Sequence, residues 1–113
     1  MQGYADNGIP LDTQWVDIDY MRDYQDFTYA SVDMFGNPGS FAGLPDFVKS
    51  LHQKNMKFVP IIDAGVSYRP GKGYTAFDQG MQQDVFLKIN GSPFIGKVWP
   101  NEAAYPDFTH PNA

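Results

Sequence analysis

The chain has 113 residues, enough for one domain. Hydrophobic residues make up 42% and charged residues 19%, which excludes disorder by composition, and 11 Gly with 9 Pro imply many turns. Without cysteine there is no disulfide scaffold or zinc finger, and a net charge of −5 with scattered Lys and Arg excludes a nucleic-acid surface.

No apolar run approaches the roughly 20 residues of a membrane span. Met1 to Asp6 lacks the basic region and apolar core of a signal peptide. Asn7-Gly8 reads as the end of a preceding helix, with Gly as the cap. From Ile9 to Asp19 the residues Ile9, Leu11, Thr13 and Trp15 alternate with Pro10, Asp12, Gln14 and Val16, the period of a strand. That strand runs into two acids, Asp17 and Asp19. Residues 20–43 are rich in turn formers and too long for an ordinary connection. The aromatics Tyr20, Tyr24, Phe27, Tyr29, Phe35 and Phe41 predict that this loop is ordered and packed.

Leu44, Phe47, Val48 and Leu51 then fall at helical spacing, with Pro45 suited to the first position and Asn55 to the cap. Phe58-Val59-Pro60-Ile61-Ile62 reads as a strand buried on both faces, as in a parallel sheet, although Pro60 removes a ladder donor. Asp63 follows it, then a Gly-rich loop from Ala64 to Gly73. Tyr74, Phe77 and Met81 predict a short helix near 75–83. Asn90-Gly91 between two apolar runs, Val85 to Ile89 and Phe94 to Trp99, is a hairpin signal. The tail from Pro100 has no period. Strand, helix and strand in this order imply a parallel α/β fold, whose chemistry gathers at the C-terminal strand ends. No G-x-G-x-x-G fingerprint follows either strand, so a nucleotide site has no support.

Asp17 and Asp19, beside Trp15 and Tyr20, have two readings: carboxylates and rings of a sugar site, or caps of the following loop. Asp63 has the same two. Trp99 is either a core residue or a platform for a ligand. His52 lies on the polar side of its helix. With His110 it makes no metal spacing, and no metal or other cofactor is called for. Asn90-Gly91-Ser92 matches a glycosylation sequon weakened by Pro93.

Several segments taken together resemble glycoside hydrolase family 31, the α-glucosidases. They are Ile9-Pro10-Leu11-Asp12 with Trp15-Val16-Asp17-Ile18-Asp19-Tyr20-Met21, Asp26-Phe27-Thr28, Leu44-Pro45-Asp46-Phe47-Val48, Asp84-Val85-Phe86-Leu87-Lys88, Ile95-Gly96-Lys97-Val98-Trp99-Pro100 and Tyr105-Pro106-Asp107-Phe108-Thr109. They stand in the family's order and cover residues 9 to 111. The first of them is closer to the maltase and acid-glucosidase branch than to glucosidase II. Asp63-Ala64-Gly65-Val66 departs from the family's usual Asp-Pro followed by Gly or Ala and Ile.

The resemblance implies that residues 1–113 are part of a catalytic (β/α)₈ TIM barrel, two to three βα units with an inserted β-hairpin. The implied activity is hydrolysis of terminal non-reducing α-linked glucose from maltose-like or glycogen-like oligosaccharides, by a retaining mechanism with two carboxylates. Both catalytic acids of the family fall in segments that these residues do not include, so no catalytic residue is assigned here. By the same resemblance Asp17 accepts hydrogen bonds from sugar hydroxyls, Ile18 and Ile61 wall the glucose subsite, and Trp99 stacks against it. Asp19, Asp63 and Asp107 support these residues from behind. The family points to a lysosomal or secreted protein. The alternative is a non-catalytic glucan-binding or inactive piece of such a barrel.

Overall fold

The computed structural model describes all 113 residues, and they divide between two units. The first unit comprises Met1–Tyr20 and Tyr29–Ile61, the second Met21–Thr28 and Ile62–Ala113.

The first unit opens with helix α1 (Gln2–Asp6). Gly8 follows it at φ +65°, where its N–H bonds to Ala5 O at 3.1 Å and the next N–H, of Ile9, reaches Tyr4 O at 2.9 Å. A Cβ is disfavoured in that left-handed conformation, which is why glycine stands there. Strand β1 (Thr13–Val16) and strand β2 (Lys57–Pro60) pair in parallel, with Trp15 opposite Val59 and Val16 opposite Pro60. β1 is shorter than the Ile9 to Asp19 segment that alternation predicts. Pro10 has no N–H to pair, and the contact with the neighbouring strand begins only where Lys57 N–H meets Asp12 O at 2.8 Å.

The tension over Pro60 resolves in the same ladder. Lys57 and Ile61 send their N–H groups to Asp12 and Val16. Pro60 falls out of that phase, so its missing donor is not needed.

Helix α2 (Leu44–Gln53) makes the crossover between the two strands and packs against β2. Its apolar stripe is the one the spacing predicts: Leu51 is fully buried, and Leu44, Phe47 and Val48 are half-buried. Asp46 lies in the first turn and His52 in the last, each at the favourable end of the helix dipole. The helix ends by a double bond pattern, Asn55 N–H to His52 O and Met56 N–H to Leu51 O, both 3.0 Å, with Asn55 at φ +61°. Lys54 is the cap and Asn55 the residue after it; Pro45 sits one place inside the first helical position.

Two expectations fail. β2 is half-buried on one side only, with Val59 and Ile62 open, so it is not the doubly buried strand its run of apolar residues predicts. The loop of residues 20–43 is held less by its aromatics than by polar anchors. Tyr20 is buried and Phe41 half-buried, but Phe27 and Phe35 are 70% and 81% exposed. Asp33 Oδ1 instead accepts the N–H groups of Phe35 at 2.8 Å and Asn37 at 2.9 Å.

The second unit is antiparallel. Strand β3 (Val66–Ser67) is followed by helix α3 (Thr75–Gln82), a hairpin of β4 (Lys88–Ile89) and β5 (Ser92–Pro93), and strands β6 (Ile95–Val98) and β7 (Asn101–Ala104). The three-stranded sheet has the order β3-β7-β6. Its central strand, β7, lies in the tail that shows no period; its sequence Asn-Glu-Ala-Ala carries no β-branched residue, and Ala103 and Ala104 are nonetheless fully buried. The Asn90-Gly91 turn has both residues at positive φ, +51° and +81°, as a tight hairpin requires. The hairpin closes with Phe94 N–H on Leu87 O at 2.7 Å and goes no further, because the preceding residues pair elsewhere: Leu87 N–H bonds to Tyr105 O at 2.8 Å and Asp107 N–H to Val85 O at 2.7 Å.

Val66, Tyr74, Phe77, Phe86 and Ala104 form the core of this unit. Phe77 stacks on Phe86 at 5.7 Å and meets Tyr68 edge-on at 5.2 Å. Tyr74 and Phe77 are buried as the helix spacing predicts. Met81 is 43% exposed, and Gly80 takes the buried place beside Phe86.

The fold is therefore a mixture: a parallel β1–α2–β2 unit, and an antiparallel unit around α3 that carries the expected hairpin. These residues contain no closed barrel.

A Cβ on Gly80 would lie 2.5 Å from Phe86 Cζ and 2.6 Å from Cε2. Phe86 is 4% exposed and stacked, so it has little room to move. Gly80→Ala is expected to destabilise the protein by up to about 2 kcal/mol, since overpacking of about 1–3 kcal/mol is offset only by the roughly 1 kcal/mol of added helix propensity. Urea unfolding measures this; a more stable variant would show that Phe86 yields.

Candidate functional site

The first unit concentrates its candidate residues just past its strand ends. Asp17 directly follows β1 and opens a 3-10 turn over Ile18–Tyr20. Its Oδ1 accepts the N–H of Ile18 at 2.8 Å, which fixes the carboxylate's orientation at the strand end. Its Oδ2 has no partner, and the side chain is exposed. Ile61 directly follows β2; its N–H bonds to Val16 O at 3.0 Å, and its carbonyl accepts the Tyr20 hydroxyl at 2.8 Å. The ladder thus brings Asp17, Ile18 and Ile61 together, a carboxylate with a free oxygen beside two half-buried apolar side chains. Asp19 is in the 3-10 turn and points to solvent.

Trp99 lies in the second unit, in the turn between β6 and β7, and is 69% exposed. It is therefore not a core residue. It borders an open cleft of about 860 Å³ together with Tyr24, Arg22, Arg69 and Lys72. Asp107 caps its own loop: Oδ1 accepts Thr109 N–H at 2.9 Å and the Thr109 hydroxyl at 2.6 Å, and these bonds hold its carboxyl below the usual carboxylate range.

Asp63 has a half-buried side chain whose Oδ2 is out of solvent and unpartnered. Its N–H donates to Oδ1 of Asp26 at 2.9 Å. Asp26 is 1% exposed, and its carbonyl accepts the Tyr74 hydroxyl at 3.0 Å. Burial pushes the Asp26 carboxyl up to about 6; the Asp63 N–H works against this, and the negative charge of Asp63 adds to it. Burial, helped by the charge of Asp26, also holds the Tyr74 phenol above its usual range.

Asp26 is the residue that sequence patterning gave no role. It stands in the quoted Asp26-Phe27-Thr28 segment, but no spacing distinguishes a buried carboxyl from an exposed one in a turn-rich loop. The three cations beside Trp99 were missed because Arg22 and Arg69 are far apart along the chain. No cluster of three or more His, Cys, Asp or Glu side chains is arranged to hold a metal ion.

The comparisons with known proteins are specific. The family described as "Glycosyl hydrolases family 31 TIM-barrel domain" matches residues 1–113, and the chain belongs to that family. It is 45% identical over 111 residues to an alpha-glucosidase of Hordeum vulgare, covering 97% of this chain and 12% of the relative. It is 43% identical over 105 residues to the lysosomal alpha-glucosidase of Mus musculus, covering 91% of this chain and 10% of that one. Among solved structures, a family 31 alpha-glucosidase from Bacteroides thetaiotaomicron superposes with a TM-score of 0.76 at 34% identity, over 98% of this chain and 18% of that one. The glucosidase II alpha subunit superposes with a TM-score of 0.83 at 25% identity, over 98% and 11%. The chain thus spans about an eighth or less of the curated relatives named here.

Asp26 gives a pH test. Its folded-state value of about 6 lies above the roughly 3.9 of an unfolded aspartate. Its protonation therefore favours folding fully below about pH 4, and that stability is lost as pH rises through about 6. The expected loss between about pH 4 and pH 7 is roughly 1–3 kcal/mol. Asp26→Asn keeps an Oδ1 acceptor for Asp63 and carries no charge, so it should flatten this part of the profile. Equal pH slopes for the two proteins in urea unfolding would place the titration elsewhere.

Proposed function

We propose that residues 1–113 are part of the catalytic domain of an α-glucosidase, which removes terminal non-reducing α-linked glucose from maltose-like or glycogen-like oligosaccharides with retention. The observation that carries this reading is the match of the whole chain to family 31, with relatives named alpha-glucosidase at 45% and 43% identity. The two carboxylates of the reaction come from other segments of the parent domain, and this part supplies binding. A lysosomal or secreted setting follows from the same relatives, one of which is named lysosomal.

In this reading each residue acts through its own chemistry. Asp17 presents its free Oδ2 to hydroxyl protons at the non-reducing end of the sugar, while the Ile18 N–H holds Oδ1 in place. Ile18 and Ile61 give the apolar wall that a sugar's C–H face requires. They also exclude water, which strengthens the hydrogen bonds to Asp17. Trp99 offers an indole face to a pyranose ring. Asp63 and Asp107 order their own loops, through the Asp63 N–H on Asp26 and the Asp107 carboxylate on Thr109, and Asp19 stays at the surface beside Asp17. The barrel of the family would place the β1–α2–β2 unit among its first strands.

The test is Asp17→Ala in the complete polypeptide, assayed on maltose. Hydrogen bonds to a charged partner are worth about 1.5–3 kcal/mol each, so the variant should lose roughly 2–4 kcal/mol in kcat/KM. An unchanged kcat/KM would remove Asp17 from the site. Maltose turnover by the parent protein tests the activity itself.

A further inference from the structure

We propose that the cleft beside Trp99 binds the oxyanion of an acidic sugar, a hexose bearing a phosphate ester or a carboxylate. This goes beyond the reading above, which concerns neutral glucosides, and it requires no turnover.

The chain has eight Lys and Arg residues and a net charge of −5. Three of those eight, Arg22, Arg69 and Lys72, line this one cleft, against the single carboxylate of Asp23. None of the three forms an ion pair: the chain's salt bridge joins Lys88 to Asp84. Nε of Arg69 is buried without a hydrogen-bond partner. A buried, unpaired guanidinium nitrogen is costly unless something accepts from it. Arginine is also the side chain whose planar fork fits two oxygens of one phosphate or carboxylate. Lys72 adds an exposed point charge.

The rest of the lining is suited to a sugar. Tyr24 and Trp99 are exposed aromatic rings, 46% and 69%, and Gln25 and Asn101 supply amides for hydroxyl groups. The cleft volume of about 860 Å³ lies within the range of small-molecule sites, roughly 300–1,000 Å³. Tight backbone geometry positions the rim. Arg22 and Gln25 bridge across a turn, with Gln25 N–H on Arg22 O at 3.0 Å, and both intervening residues, Asp23 and Tyr24, have positive φ.

The chain is titrated calorimetrically at low ionic strength with glucose 6-phosphate, glucuronate, glucose and inorganic phosphate. At least one of the two acidic sugars should bind roughly tenfold more tightly than glucose and than inorganic phosphate. Whichever binds tells a phosphate ester from a carboxylate as the source of the anion. Lys72→Gln, a change at an exposed position that leaves folding intact, should weaken that binding several-fold, and added salt should weaken it further. Arg69→Met should abolish it. Acidic sugars no tighter than glucose, or inorganic phosphate as tight as glucose 6-phosphate, overturn the proposal. So does Lys72→Gln with unchanged affinity. Maltose turnover by the parent protein is measured separately from these titrations, so a failure here is distinct from a failure of the α-glucosidase reading.

Discussion

The bonds from Lys57 and Ile61 on one strand to Asp12 and Val16 on the other set the level at which two chain segments stop being sheet. Everything proposed for Asp17 depends on that level. A slip of one residue between the strands would put Asp17 and Ile61 on opposite faces, because strand side chains alternate. The register is held by α2, whose buried Leu51 and half-buried Phe47 and Val48 fix the crossover, and by the Tyr20 hydroxyl on the Ile61 carbonyl. A helix buried on one stripe therefore positions a carboxylate that it does not touch.

The second unit solves a different problem. Its sheet has short strands and a central one without large side chains, so its stability comes from aromatic rings packed against α3. Gly80 lets Phe86 approach the helix backbone, and Phe77 and Tyr68 complete the cluster. Asp26 is anchored in this unit by the Asp63 N–H and the Tyr74 hydroxyl. Burying that carboxyl with only one donor on it has a cost, seen in its raised pKa of about 6. In exchange, a loop with few apolar anchors has a defined position.

Local rules were readable where one residue decides the outcome. The α2 stripe, the Asn90-Gly91 hairpin and the Gly8 cap each rest on spacing or on a left-handed backbone, and the structure has all three. What depends on partners was not readable. Asn-Glu-Ala-Ala becomes the central strand β7 because β3 and β6 flank it, and nothing in its own composition says so. Val85 and Phe86 look like the start of the hairpin but are drawn away by Tyr105 and Asp107. At the site, acids after apolar runs were visible as candidates, whereas the buried state of Asp26 and the gathering of Arg22, Arg69 and Lys72 follow from chain folding alone. The family resemblance supplied roles for Asp17 and Trp99 that alternation could only leave open between capping and binding.

Seven non-glycine residues have positive φ, and three of them, Asp23, Tyr24 and Asn101, line the cleft beside Trp99. Such a conformation costs an L-residue about 1 kcal/mol, which glycine would not incur. Anyone selecting variants of this protein for heat resistance would therefore find easy gains at that rim. Each gain would delete a side chain that faces the cleft, so thermostability and ligand recognition are set to compete at the same three positions.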